Sequence, residues 1–327
     1  MTDFRAKRLA IAALLLMAML WGSTFVVTKD AMDRMPALDL LALRYGIALV
    51  VLSLFSWRSL RMSPRTLWQG VVMGIFFAIG QISQTVGLGM THASVSGFLT
   101  GTYVVFTPVL AALLFRTRLG RRVWYAIGFA VVGLGVLSIN PAQGASFGLG
   151  EFLTLIGAIS FAVHIHATAH YVTPRNAMSL TLSQTGFVVL VCTLFAVPDG
   201  MVWPPTTSDW LVMGYLAVIA GAATLFLQNW AQAYVAPTKA AVIMCSEPMW
   251  AAFFAVSIGG EAITWQMVLG GLSIMTAMYL VVAGPTLLRL PGRNVLRRLF
   301  PLPAQAPKVN VKGMAATPVS AEFAAAE

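Results

Sequence analysis

Glu247 stands directly before Pro248, about a third of the way into an apolar run over residues 240–258. A carboxyl so placed has two uses. It can take up and release a proton during a transport cycle, or it can satisfy backbone groups disturbed by a proline that brings no N–H. Arg44 is the only basic residue well inside an apolar run, that over 38–57. At about 1.5 Å per residue it sits roughly 9 Å from the near end of its segment, within reach of snorkelling. It can draw an anion or anchor its segment on backbone carbonyls. By the same count Glu247 lies roughly 9 Å deeper than Arg44, so no direct ion pair between them is expected.

Neutral polar side chains recur at helical spacing in five further places: Trp21, Thr24 and Thr28; Gln81, Gln84 and Thr85; Thr100, Tyr103 and Thr107; Ser160, His164 and Thr168; and Thr224, Gln228 and Gln232. Such spacing gathers each set on one helix face. A polar group on a lipid-facing surface is costly, so these faces turn inward. One use for them is interhelical adhesion, worth about 0.6 kcal/mol per pair. If the five faces meet, they line a polar cavity instead. Its amides and hydroxyls would orient a solute's polar atoms, and Trp21 and Tyr103 would hold its apolar part. Nothing resembles a catalytic set: there is no His-Glu-x-x-His, and His164 and His166 point to different sides of a helix. Cys192 and Cys245 both lie in apolar stretches, so neither a metal site nor a disulfide framework is expected. No catalytic residue, metal or cofactor is assigned.

The elements that must position these groups are membrane helices. Hydrophobic residues make up 58% of the chain, charged residues 10%, and mean hydropathy is +0.81. A soluble domain carries about 25% charged residues. The net charge of +10 is not a nucleic-acid footprint, because basic residues sit in short runs between apolar stretches. The expected partners are the lipid bilayer and a small molecule, with no nucleic acid; the oligomeric state is left open. Ten segments are long enough to cross as helices, near 9–28, 38–57, 67–89, 94–115, 123–139, 149–170, 179–197, 210–232, 240–258 and 265–284. Arg5, Lys7 and Arg8 before the first run imitate a signal peptide, but the run continues to Val27 without a small-x-small cleavage site and is read as a retained span.

With the N-terminus in the cytoplasm, eighteen of the 21 basic residues fall inside, while Asp30, Asp33, Asp39, Glu151, Asp199, Asp209 and Glu261 fall outside. Both termini are therefore expected to be cytoplasmic. Residues 1–8 form the N-terminus, and 286–327 a tail that is basic first and then, from about Pro301, too poor in apolar surface to order.

The segments fall into two alike units, 9–140 and 149–285. A shift of 144 residues sets Gln84 on Gln228, Ser94 on Thr238 and Thr117 on Glu261; a shift of 140 sets Trp21-Gly22 on Phe161-Ala162 and Arg44 on Gln184. A unit of five helices repeats only by turning over. Inverted repeats are a hallmark of secondary transporters, whose site lies between the halves. Pro108 and Pro248 are expected to kink the fourth and ninth spans, and paired interrupted helices mark such a site. Gly97 with Gly101, and Gly70 with Gly74, are read as close-packing patterns.

Trp21-Gly22-Ser23-Thr24-Phe25, Leu43-Arg44-Tyr45, the run from Phe98 to Val105, Gln228-Asn229-Trp230-Ala231-Gln232, Glu247-Pro248 and Gly260-Glu261 together resemble the EamA-type drug/metabolite transporters, over about residues 9–285. The resemblance implies an all-α membrane protein of ten transmembrane helices in two inverted five-helix repeats. It also implies an inner-membrane location and export of small metabolites or amino acids through a central cavity. One departure is Arg116-Thr117, which stands where many members carry Gly-Glu; the positive-inside rule favours a basic residue there. The expected function is secondary-active export of a zwitterionic or weakly charged metabolite by alternating access, coupled to a proton or an exchanged counter-substrate. Trp21, Thr24, Gln84, Tyr103, His164, Gln228 and Glu247 are the expected substrate contacts, Glu247 the proton-coupling group, and Arg44 a structural or anion-attracting one. The alternatives are a channel-like facilitator without ion coupling and, further off, a membrane-embedded enzyme.

Overall fold

In a computed structural model of the chain, the described residues are 2–115, 120–137, 139–140, 144–145, 148–235, 240, 243–244 and 246–282. Arg116-Thr117, Arg118, Thr238, Lys239, Ala241-Val242, Cys245 and the tail 286–327 lie outside them. The first apolar run forms a helix, α1 (Thr2–Met32), that starts earlier and ends later than its apolar core, because helix continues through the polar ends at Lys7 and Lys29. It is followed by α2 (Ala37–Phe55), α3 (Pro64–Gly89), α4 (Ala93–Gly101), α5 (Tyr103–Phe115) and α6 (Arg121–Leu137). A two-residue antiparallel ladder, β1 (Ile139–Asn140) with β2 (Gly144–Ala145), then leads to α7 (Leu149–Tyr171) and α8 (Ala177–Ala196). The next stretch is continuous but changes winding: α9 (Thr207–Gly214), a π-helical segment (Tyr215–Ala223) and α10 (Thr224–Gln232). Last come α11 (Glu247–Ser257) and α12 (Trp265–Val282). Among the described residues seven helices are long and apolar enough to cross a membrane: 6–32, 37–55, 64–89, 93–113, 149–171, 177–196 and 207–232.

Both apolar runs with an expected kink are interrupted, at different places relative to their prolines. The fourth apolar run breaks at Thr102, whose Oγ1 donates to the Leu99 carbonyl at 2.5 Å, and Pro108 lies inside the helix that follows. Pro248 lies in the first turn of α11, where its missing N–H costs nothing, so it begins a helix among the described residues.

Glycine decides how closely the helices approach. A Cβ at Gly70 would fall 2.2 Å from Ser183 Cβ, and one at Gly97 2.4 Å from Ala251 Cβ. α3 can thus lie against α8, and α4 against α11, with almost no space between backbones. α3 also packs along α7, and α6 along α12. The largest buried cluster joins Leu14 and Met17 of α1 to Leu99, Ala158 and Met278. Large apolar side chains such as Leu54 and Leu211, each 74% exposed, cover the outside. Water does not tolerate so extensive an apolar surface; lipid does.

At one end of the bundle polar contacts replace packing. Arg34 bridges Asp30 and Asp209, each at 2.6 Å, and the two carboxylates, Asp30 foremost, hold its guanidinium above its usual range. Lys29 Nζ donates to the Thr91 carbonyl, and Thr91 Oγ1 donates to Glu151 at 2.6 Å. Glu261 accepts from Ala93 N at 2.7 Å and from Ser94 Oγ at 2.5 Å, capping α4 from the distant loop after α11. The positive φ of Gly260, 69°, turns that loop.

Candidate functional site

Trp21, Thr24, Gln84, Tyr103, His164, Gln228 and Glu247 all border one cavity. They come from α1, α3, α5, α7, α10 and α11. Arg44 of α2 completes the polar lining together with Gln81 and Thr100. The remaining wall is apolar: Phe25, Phe77, Phe161, Ile165 and Met244. Sequence reading missed this apolar part, since an apolar residue in an apolar helix carries no mark of whether it faces lipid, a packed neighbour or a cavity. Pro108 and Pro248 do not border the cavity; Pro248 acts one residue away, by starting the helix that carries Glu247.

The polar groups are held by one another. Tyr103 OH donates to Glu247 Oε2 and lies equally close, 3.3 Å, to the Met244 carbonyl. Trp21 Nε1 donates to Thr224 Oγ1 at 2.8 Å, and Gln84 Nε2 to Thr100 Oγ1 at 2.9 Å. His164 Nε2 shares a 3.0 Å hydrogen bond with Gln184 Oε1, and its ring centre lies 5.1 Å from that of Phe77. Gln184 is the residue that the repeat sets on Arg44. Arg44 itself is 5% exposed and donates to two carbonyls, Leu216 at 3.1 Å from Nε and Ala220 at 3.1 Å from Nη2. Gln228 is 2% exposed, and its Oε1 has no partner among the described residues. A buried acceptor left open is costly in a packed core and useful in a binding site.

Not every residue of the polar stripes reaches this space. Thr107 turns back to its own helix, donating to the Tyr103 carbonyl at 2.8 Å, and Thr28 and Thr168 are buried in packing. Among the described residues no group of three His, Cys, Asp or Glu side chains can hold a metal ion.

A second cavity opens at the end of α1 that carries Lys29, Asp30 and Asp33. Ala93, His92 and Glu261 also border it. Phe25, which borders the first cavity, is 3% exposed and packs with Leu88, Ala93, Ala251 and Ala255; Ala93 borders the second. The first cavity presents amide, hydroxyl and aromatic surface with one carboxyl and one guanidinium.

The sequence pattern of the EamA-like transporter family matches the chain twice, over residues 8–139 and again over 148–283. The chain belongs to this family. Consistent with that, it is 31% identical over 276 residues to an "Uncharacterized transporter" of Archaeoglobus fulgidus, covering 84% of this chain and 86% of that protein. It is 24% identical to the "Uncharacterized inner membrane transporter YedA" of Escherichia coli (strain K12), over 90% of this chain and 96% of that protein. A further E. coli K12 relative, named "Probable amino-acid metabolite efflux pump", is 27% identical over 83% of this chain and 93% of its own length. The cavity of this EamA-like chain draws its walls from both matched segments: Trp21, Gln84 and Tyr103 from the first, His164, Gln228 and Glu247 from the second.

Proposed function

We propose that this EamA-like transporter is a secondary-active exporter of a small metabolite or amino acid, working by alternating access across the cytoplasmic membrane. Ten spans form two inverted halves, 9–140 and 149–285, with both termini in the cytoplasm. The distribution of basic residues supports that orientation. The observation that carries the reading is that the seven residues expected from the sequence border a single cavity walled by both matched segments. A relative named as an amino-acid metabolite efflux pump supports the same substrate class.

In this reading Gln84 and Gln228 orient polar atoms of the substrate, while Trp21, Tyr103 and the nearby phenylalanines hold its apolar part. Glu247, whose side chain accepts from Tyr103 OH, is the group that exchanges a proton. With one carboxyl and one guanidinium, the lining favours a zwitterionic or weakly charged solute over a polyanion.

A thermal-shift screen of the proteinogenic amino acids, nucleobases and simple sugars tests the substrate class. A true ligand at 100 times its Kd stabilises the folded state by about 2.7 kcal/mol. The stabilising compound, radiolabelled, then enters counterflow in proteoliposomes. Saturable counterflow is the expected result. A non-saturating flux without counterflow would identify a channel-like facilitator instead and overturn alternating access.

A further inference from the structure

The π-helical segment Tyr215–Ala223 is held from outside by two other helices. Arg44 of α2 donates to the carbonyls of Leu216 and Ala220, both at 3.1 Å. Thr224 Oγ1 donates to the Ala220 carbonyl at 2.8 Å while accepting from Trp21 Nε1 at 2.8 Å. At the start of the segment, Tyr215 OH shares a 2.5 Å hydrogen bond with Ser23 Oγ of α1. One helical turn beyond Thr224 stands Gln228, which borders the cavity and whose Oε1 has no partner among the described residues.

A π turn closes its hydrogen bonds over i to i+5 and so takes up one residue more than an α turn. If the segment rewound as α-helix with the same residues, everything beyond it would rotate by about 100°, one residue's turn. Leu227 would then stand near where Gln228 now faces the cavity, putting an apolar side chain in place of an amide. The winding of this segment therefore decides which side chain the cavity receives, and Arg44 is the buried cation that grips its carbonyls. A guanidinium does this better than an ammonium, since its planar fork reaches two carbonyls a turn apart at once.

We propose that Arg44 is a positioning residue: by holding the carbonyls of Leu216 and Ala220 it maintains the π-helical winding and so keeps Gln228, rather than Leu227, in the cavity. This rests on the reading of the cavity as the substrate site, but its test needs no substrate. In the reconstituted full chain, with Cys192 and Cys245 replaced by alanine, single cysteines are introduced as Gln228→Cys or Leu227→Cys and treated with a small water-soluble methanethiosulfonate. With Arg44 present, position 228 is expected to react at least about ten-fold faster than 227, and Arg44→Gln is expected to reverse that order. Deleting Val218 removes the extra residue, allows unbroken α-helix, and is expected to restore the original order in the Arg44→Gln protein. A merely stabilising Arg44 would lower the melting temperature and leave the order of reactivity alone. That result in folded Arg44→Gln protein overturns the proposal. Should Arg44→Gln alone fail to fold, the version lacking Val218 decides: folding with fast labelling at 228 supports the proposal, and failure to regain either overturns it. Absent counterflow with the labelling order intact would instead remove the transport reading and leave the winding argument standing.

Discussion

Glu247 and Gln228 are the two side chains whose chemistry is least explained by packing. Glu247 is 4% exposed with Tyr103 OH 3.3 Å away, and Gln228 has an acceptor without a partner among the described residues. Each is expected to contribute about one hydrogen bond's worth of binding, about 1.4 kcal/mol. Gln228→Leu and Glu247→Gln should therefore each lower counterflow by about ten-fold while the protein still elutes as folded. Wild-type kinetics in both would take these residues out of the site. Tyr103→Phe separates structure from chemistry. It removes the hydroxyl that donates to Glu247 and should cost about 1 kcal/mol of stability, read as a lower melting temperature.

The helices depend on contacts that reach across long sequence distances. Glu261 caps α4 through Ala93 N and Ser94 Oγ, placing a carboxylate at a helix N-terminus. Glu261→Ala leaves those donors unmet and should cost about 1–2 kcal/mol, visible in the thermal midpoint. Because Ala93 packs against Phe25, which borders the first cavity, the substitution should also speed labelling of Thr24→Cys by an impermeant thiol reagent. An unchanged labelling rate would show that the cap plays no part in shielding Thr24. Close packing gives a second handle. Gly97→Ala sets its Cβ 2.4 Å from that of Ala251, an overlap that should cost about 1–3 kcal/mol. A thermal midpoint equal to wild type would mean that α4 and α11 part without penalty.

The molecule as a whole is proposed to run with both termini in the cytoplasm. An impermeant thiol reagent should then label Asp33→Cys in intact cells, and Arg175→Cys only after permeabilisation. Equal labelling of both without permeabilisation would place their loops on one face and dismantle the inverted arrangement. The two family matches, over residues 8–139 and 148–283, divide the chain where β1 and β2 separate α6 from α7. The cavity takes walls from both sides of that division, so relative movement of the two parts would change its access.

Sequence alone determined the helical membrane class and the family. It also picked out the polar cavity groups, because a polar side chain in an apolar run is conspicuous and helical spacing tells which of them share a face. It located the cavity's apolar wall poorly, since Phe25, Phe77 and Phe161 look the same in sequence as phenylalanines facing lipid. It also expected the fourth span to bend at Pro108, whereas the helix breaks at Thr102, where the hydroxyl competes for a backbone carbonyl. Only the tertiary structure decided what Arg44 grips and that residues 215–223 wind as a π-helix. Neither is written in local pattern: a helix's winding and a buried cation's partner follow from which carbonyls a neighbouring helix, 172 residues away in the chain, brings within reach.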